Sequence, residues 1–236
     1  MKAAILLINW RDKFAKKADK PHYHIAGHGQ NALAWPHRFT VDYKGSKDIM
    51  DIAGKKAIVL GGTSGIGLAT SLMLVEKGAD VVAVSRDPSK AGDVPAGIRL
   101  AALDSRDSEA VEAFFNAEGD IDILVNSAGI IHGGLFQMTT VQTIKDVFSV
   151  NFFGMLEVTQ LVSKYMIRKK HGSIINIASV AGIDLSAGNC AYGSSKAAVI
   201  AFSKTLSSEL STYGIRVNVV APSLTDTEMA HTTEAK

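Results

Sequence analysis

A tyrosine and a lysine four residues apart, Tyr192 and Lys196, sit in the stretch Asn189–Val199, "NCAYGSSKAAV". On a helix, residues at this spacing share a face. A free phenol has a pKa of about 10, too high for proton exchange near neutrality. A neighbouring ammonium favours the phenolate, so Lys196 lowers the cost of moving the Tyr192 proton. The pair therefore suits general acid–base chemistry at a substrate oxygen. Gly193, Ser194, Ser195, Ala197 and Ala198 leave the rest of the helix bare, which lets a cofactor or a second subunit come close. A Tyr–Lys pair also arises by chance on solvated faces. It gains meaning only beside Ser179, at the end of the apolar run "GSIINIAS", and a glycine turn far upstream.

That turn is "VLGGTSGIGLA", with Gly61, Gly65 and Gly67 spaced G-x-x-x-G-x-G between a strand pattern and a helix pattern. Glycines permit a tight turn and a close backbone approach to a pyrophosphate, and the helix N-terminus adds free N–H groups and a positive dipole end. No Lys-Ser/Thr pair follows the last glycine, so this is not a P-loop. The next strand ends in "VSRDPSK". An acid there would bind a ribose 2′-hydroxyl, whereas an arginine accommodates a 2′-phosphate. Ser85 and Arg86 occupy that end, which predicts NADP(H); Asp87 follows and leaves NAD(H) open.

The elements that must position these groups follow from periodicity. "KKAIVLGG", "DVVAVSR", "GIRLAALD", "IDILVNSAG", "GSIINIAS" and "IRVNVVAP" are short apolar runs typical of strands buried on both faces. Helical patterns separate them: "GLATSLMLVEKG" closing on Gly78, "DSEAVEAFFNAEG" with Ser105 or Asp107 as cap, roughly Thr140 to Lys170, and about Ala191 to Tyr213. Such alternation predicts an α/β fold: a doubly wound parallel sheet (Rossmann fold) between two helical layers.

Taken together, "GGTSGIG" (61–67), "NSAG" (126–129), Asn151, Ser179 in "IASVAG" and "YGSSK" (192–196) resemble the short-chain dehydrogenase/reductase family, particularly its 3-oxoacyl-reductase-like members. The resemblance covers roughly Asp51 to Met229. It implies an NAD(P)-dependent oxidoreductase that moves hydride between a nicotinamide and a carbonyl or secondary alcohol. Tyr192 would donate or accept the proton and Ser179 would hold the substrate oxygen. Lys196 would act on Tyr192 and reach the nicotinamide ribose, and Asn151 would hold a water linking Lys196 to solvent. Cofactor contacts carried over by position are Gly61, Ser64, Gly65, Ile66, Gly67, Ser85 and Arg86, then Asp104 toward the adenine amino group. Asn126, Ala128 and Gly129 follow on the adenosine side, and Pro222 and Thr227 toward the nicotinamide. Asp104 reads equally well as a helix cap or surface charge.

The chain departs from the family at three places. Leu60 replaces a threonine, removing one local hydrogen bond. Ser223 stands where a glycine follows the proline, and a serine resists positive φ. The sequence ends at Lys236, so the usual last strand and lid helices are expected to be lacking; that keeps a weakly catalytic nucleotide-binding or interaction protein as the alternative. An epimerase or dehydratase on the same fold is a third reading.

Residues 1–50 show no sustained period and are expected to be an extension of low order or an edge segment, ahead of a dinucleotide-binding domain over 51–236. "AAILLIN" (Ala3–Asn9) is apolar enough for a strand beside the vacant edge of "IRVNVVAP". His22, His24 and His28 lack accompanying acids or cysteines, and no metal is expected. The 236 residues carry a net charge of +2, with 47% hydrophobic and 20% charged residues, which points to neither nucleic acid nor an anionic membrane as partner. A single cysteine, Cys190, fits a cytoplasmic protein. Val199, Phe202, Leu206 and Leu210 recur at spacings of three and four and predict a homodimer through the two long helices.

Overall fold

A computed structural model of the chain describes residues 5–8, 23–26, 51–184 and 186–223. The six apolar runs form strands β3 (Lys56–Leu60), β4 (Asp80–Ser85), β5 (Ile98–Ala102), β6 (Ile123–Asn126), β7 (Gly172–Ile177) and β8 (Ile215–Pro222). All six pair in parallel. The full sheet has the order β2-β1-β8-β7-β6-β3-β4-β5, where β1 is Ile5–Ile8 and β2 is Tyr23–Ala26. From β3 the chain winds outward through β4 and β5, then returns through β6, β7 and β8 on the other side. The reversal between β3 and β6 creates the crevice in which open α/β sheets bind ligands.

β1 lies antiparallel to β8, with Ile5 opposite Pro222, and β2 adds antiparallel to β1. Ile5–Ile8, within the apolar stretch weighed as a strand, thus lies between β8 and β2, and the two antiparallel pairs extend the six parallel strands. β2 had no counterpart in the sequence reading, because "YHIA" has no alternation of apolar and polar residues. Of the three histidines weighed as ligands, His22 and His28 lie outside the described residues. No group of three His, Cys, Asp or Glu among the described residues is placed to hold a metal.

Helices cover both faces. α1 (Gly65–Glu76) packs Leu74 on Val81 and Ile123. On the other face, α2 (Ser108–Glu118) contributes Phe115 and α4 (Met155–Lys169) contributes Val158, Val162 and Met166 against Ile58, Leu124 and Ile174. α5 (Cys190–Leu210) lays Val199 on Val219 and Ala221 of β8. Asp107, not Ser105, caps α2 by accepting from Ala110 N at 3.0 Å.

The long helical stretch from Thr140 is broken. Thr140 caps α3 (Val141–Phe148), a wide π-helical turn spans Ser149–Gly154, and α4 then runs on to a left-handed Lys170. Lys170 is the only non-glycine at positive φ among the described residues. Ser223 is therefore not held in a left-handed conformation, and the strain expected there does not arise. Leu60 is buried in the core beside Val84, a packing use of the position in place of a threonine hydroxyl.

Candidate active site

The strand ends and helix starts at the β3/β6 reversal enclose one open cleft of about 840 Å³. Its floor is the glycine turn. Gly61 has φ +72°, and a Cβ there would lie 2.7 Å from the backbone N of Ala128. The turn is therefore pressed onto the "NSAG" loop, and Gly61 N donates to Val84 O at 2.7 Å. A Cβ on Gly67 would fall 2.0 Å from Gly61 O, so α1 can start this close only with glycine. Ser64 takes the N-cap position without capping through its side chain. The first N–H groups of α1 consequently face the cleft alongside Gly65 and Ile66, as an anion site requires.

At the end of β4, Ser85 and Arg86 line the cleft, while Asp87 does not. The Asp87 carboxylate is turned to Ser89 and Lys90, and its hydrogen bond with Ser89, more than any other contact, holds it below the usual carboxylate range. The Ser85 Oγ is buried with no hydrogen-bond partner among the described residues. Beside this end, after the neighbouring strand β5, the Arg106 guanidinium chelates both Asp104 oxygens and holds that carboxyl down at about 2. Asp104 thus lines the cleft in ionised form, paired with Arg106.

The opposite wall carries the reactive candidates. Tyr192 and Lys196 project from one face of α5, and Ser179 follows β7. Burial raises the Tyr192 phenol, and a hydrogen bond from Ser179 lowers it in part. Lys196 is almost fully buried, and loss of water pulls its ammonium down from 10.5 to about 8. Its Nζ donates to Ile177 O at 2.9 Å and stands 5.9 Å from the centre of the Tyr192 ring. The Lys196 ammonium is bonded to a strand carbonyl, and desolvation is the largest influence on both groups.

Asn151 sits in the π-helical turn, just behind the cleft wall. Its Oδ1 accepts from Ile130 N at 2.7 Å, and its Nδ2 donates to Ile130 O at 2.9 Å and to Ser195 Oγ at 3.0 Å. The wide turn tilts Asn151 to meet both the loop after β6 and α5. A Cβ on Gly129 would lie 3.3 Å from Asn151 Oδ1 and 3.4 Å from Lys196 Nζ, so that glycine marks where the two converge. Asn126 is buried and donates to Thr159 at 3.0 Å and Asn176 at 2.7 Å. It ties β6 to its neighbours and does not face the cleft. Pro222 lines the cleft at the end of β8. Thr227 lies outside the described residues. The sequence reading overlooked the Ile177 carbonyl and Ser195 as partners of Lys196 and Asn151; a backbone carbonyl leaves no trace in side-chain identity.

The family model of short chain dehydrogenases matches residues 55–236. This chain belongs to the short-chain dehydrogenase family. The chain is 38% identical over 191 residues to the 3-oxoacyl-[acyl-carrier-protein] reductase of Thermotoga maritima, covering 76% of this chain and 78% of that one. It is 37% identical over 182 residues to carbonyl reductase family member 4 of Xenopus tropicalis, covering 74% and 77%. It is also 38% identical over 189 residues to 2,3-dihydro-2,3-dihydroxybenzoate dehydrogenase of Bacillus subtilis, covering 75% and 72%. A solved short chain dehydrogenase/reductase family protein superimposes with a TM-score of 0.68 at 34% identity, over 71% of this chain and 73% of that one. The short-chain dehydrogenase described here is thus an NAD(P)-dependent oxidoreductase, and its cofactor is a nicotinamide dinucleotide. The cleft fits such a group. The Gly61 turn leaves no room for side chains where a pyrophosphate backbone approach is needed, and the buried Ser85 Oγ lacks a partner that a ligand oxygen would provide. No helix among the described residues is long and apolar enough to cross a membrane.

Proposed function

We propose that this dehydrogenase uses NADP(H) in preference to NAD(H) and interconverts a small-molecule carbonyl and a secondary alcohol, with Tyr192 as proton donor and acceptor. The observation that carries the cofactor preference is Arg86, exposed at the rim with no ion pair or hydrogen bond to a described residue, while Asp87 is committed to Ser89 and Lys90. A guanidinium held by no ion pair or hydrogen bond to a described residue, beside the buried Ser85 hydroxyl, suits bidentate binding of a 2′-phosphate.

The bound cofactor supplies the hydride. On the protein side, Ser179 holds the substrate oxygen against the Tyr192 phenol, and Tyr192 passes its proton to that oxygen. Lys196, buried and cationic below about pH 8, favours the phenolate left behind. Asn151, tied to Ile130 and Ser195, holds the wall behind Lys196 and the path by which the proton is replaced. Gly61, Ser64, Gly65, Ile66 and Gly67 would receive the pyrophosphate, Asp104, Ala128 and Gly129 the adenosine, and Pro222 the nicotinamide end. Residues 51–236 act as the dinucleotide-binding domain of a cytoplasmic enzyme.

Titration of both cofactors tests the preference. NADPH binds about ten- to a hundredfold more tightly than NADH, the worth of one charge-assisted contact, and Arg86→Ala removes the difference by weakening NADPH alone. Equal affinities in the parent contradict the assignment.

The same enzyme is proposed to be a homodimer. Phe153 is 57% exposed at the start of the α4 face, edge-on to Phe152, which in turn meets Phe202 of α5. A two-fold contact buries this patch against itself. Light scattering at micromolar concentration gives twice the chain mass; a stable monomer rules the contact out.

A further inference from the structure

The small residues of α5 admit something close to the helix, and the structure identifies it. The turn Val180–Gly182, directly after Ser179, lies against α5 at the level of Lys196 and Ala197. A Cβ on Gly182 would stand 2.7 Å from Ala197 N, 2.7 Å from the Lys196 carbonyl carbon and 3.0 Å from Lys196 O. These are backbone atoms inside a helix, so they cannot swing aside as a side chain would. Gly182 does not have a positive φ, and its need for glycine comes from space alone. The turn is closed by Gly182 N donating to Ser179 O at 3.0 Å, and Ala181 N donates to Ser179 Oγ at 3.2 Å. Ser179, the turn and α5 thus form one rigid stack.

We infer that Gly182 is a positioning residue: its backbone contact with α5 sets the separation between the Ser179 hydroxyl and the Tyr192 phenol. A methyl group at this position must push the turn off α5 by several tenths of an ångström. Ser179 rides on that turn and Tyr192 is fixed on the helix one turn before the contact, so the displacement falls on the bond between them. Misplacement of about 1 Å at a reacting centre costs on the order of a hundredfold in rate. The inference rests on the proposed roles of Ser179 and Tyr192.

The test compares the parent, Gly182→Ala, Ser179→Ala and the double variant, with NADPH and the soluble 3-oxoacyl thioester acetoacetyl-N-acetylcysteamine. Gly182→Ala lowers kcat about ten- to a hundredfold while NADPH affinity stays within about twofold, and the double variant is no slower than Ser179→Ala alone. A substrate-free readout accompanies it: the Tyr192 phenol, followed by its 13Cζ resonance and assigned with Tyr192→Phe, titrates higher in Gly182→Ala than in the parent, as it does in Ser179→Ala. Saturating NADPH is present in the kinetic arms to support the folded state. Additive losses in the double variant, or an unmoved phenol titration, overturn the inference, as does failure of Gly182→Ala to fold even with cofactor, which would make the contact a requirement of the fold. If Ser179→Ala itself retains parental kcat and phenol titration, the proposed role of Ser179 is what fails.

Discussion

Tyr192→Phe abolishes turnover and leaves cofactor binding nearly intact. Phenylalanine keeps the ring, half-buried between α5 and the cleft, and removes only the hydroxyl that meets Ser179. General acid catalysis by a placed side chain is worth about 10²–10⁴-fold, and Ser179, which holds the same oxygen, has a hydroxyl too weakly acidic to replace the phenol. The expected loss in kcat is therefore about a thousandfold, with NADPH affinity changed less than about twofold. The pH dependence carries a sign as well. Burial raises the phenol above its ordinary value, so Tyr192 remains a proton donor throughout the neutral range. Reduction should be flat there, and alcohol oxidation, which needs the phenolate, should climb with pH. A Phe variant with parental kcat removes Tyr192 from the mechanism.

Lys196→Met produces the second large effect, and it appears in both activity and stability. The parent ammonium loses its proton near 8, since burial strips its water. Its charge favours the phenolate only below that point, so kcat/KM for reduction, which reports the free enzyme, falls as pH rises through about 8. Methionine keeps the stem and removes the charge; turnover drops at least about a hundredfold and cofactor affinity falls with it. The stability effect runs the opposite way. The folded value lies below the unfolded one, so between about 8 and 10.5 the unfolded chain holds more protons. Parental stability therefore rises with pH across that window, and Lys196→Met lacks this slope. Denaturant melts of both proteins at several pH values check it. Parallel pH curves would mean that Lys196 is better solvated than its position implies.

Much of the fold was legible because two-sided burial writes itself into the chain. Inside "KAIVL" and "DVVAVS" the polar residues stand only at the ends, with none at the positions a solvated face would need, and each became a strand of the parallel core. The glycine turn was legible for a steric reason: Gly61 and Gly67 stand where any Cβ would strike backbone. The π-helical turn at Ser149–Gly154 was not, since "SVNFFG" fits a regular helix equally well and the extra residue per turn comes from packing. Gly154 contributes there, because a Cβ would lie 2.9 Å from Ser105 O, a contact between segments far apart in sequence. Ser105 was read as a cap for the same reason: proximity to Gly154 cannot be seen along the chain. β2 escaped because it is a four-residue edge strand whose only partner, β1, is equally short.

The candidate site divides in the same way. Tyr192, Lys196 and Ser179 were identifiable from side-chain chemistry, and the cleft contains all three. What Lys196 touches was not, because its acceptor is the Ile177 main chain. Asp87 and Arg86 looked like rival ligands in sequence; that Asp87 caps the short turn Pro88–Lys90 is a local contact the sequence leaves open. Gly182 carried a readable hint, a glycine three residues after the reactive serine facing a helix of small residues, but its consequence needs the distance to α5.

The central claim, hydride transfer at this cleft, is tested most directly with NADPH carrying deuterium at the transferable positions of nicotinamide C4. The labelled cofactor is mixed with the purified chain and acetoacetyl-N-acetylcysteamine, and the product is analysed by mass and NMR. The account predicts one deuterium on the new carbinol carbon for each cofactor oxidised, and none formed by Tyr192→Phe on the same timescale. Tight NADPH binding with no deuterium in any product, across ketone and thioester substrates alike, would contradict it and leave a nucleotide-binding protein on a dehydrogenase fold.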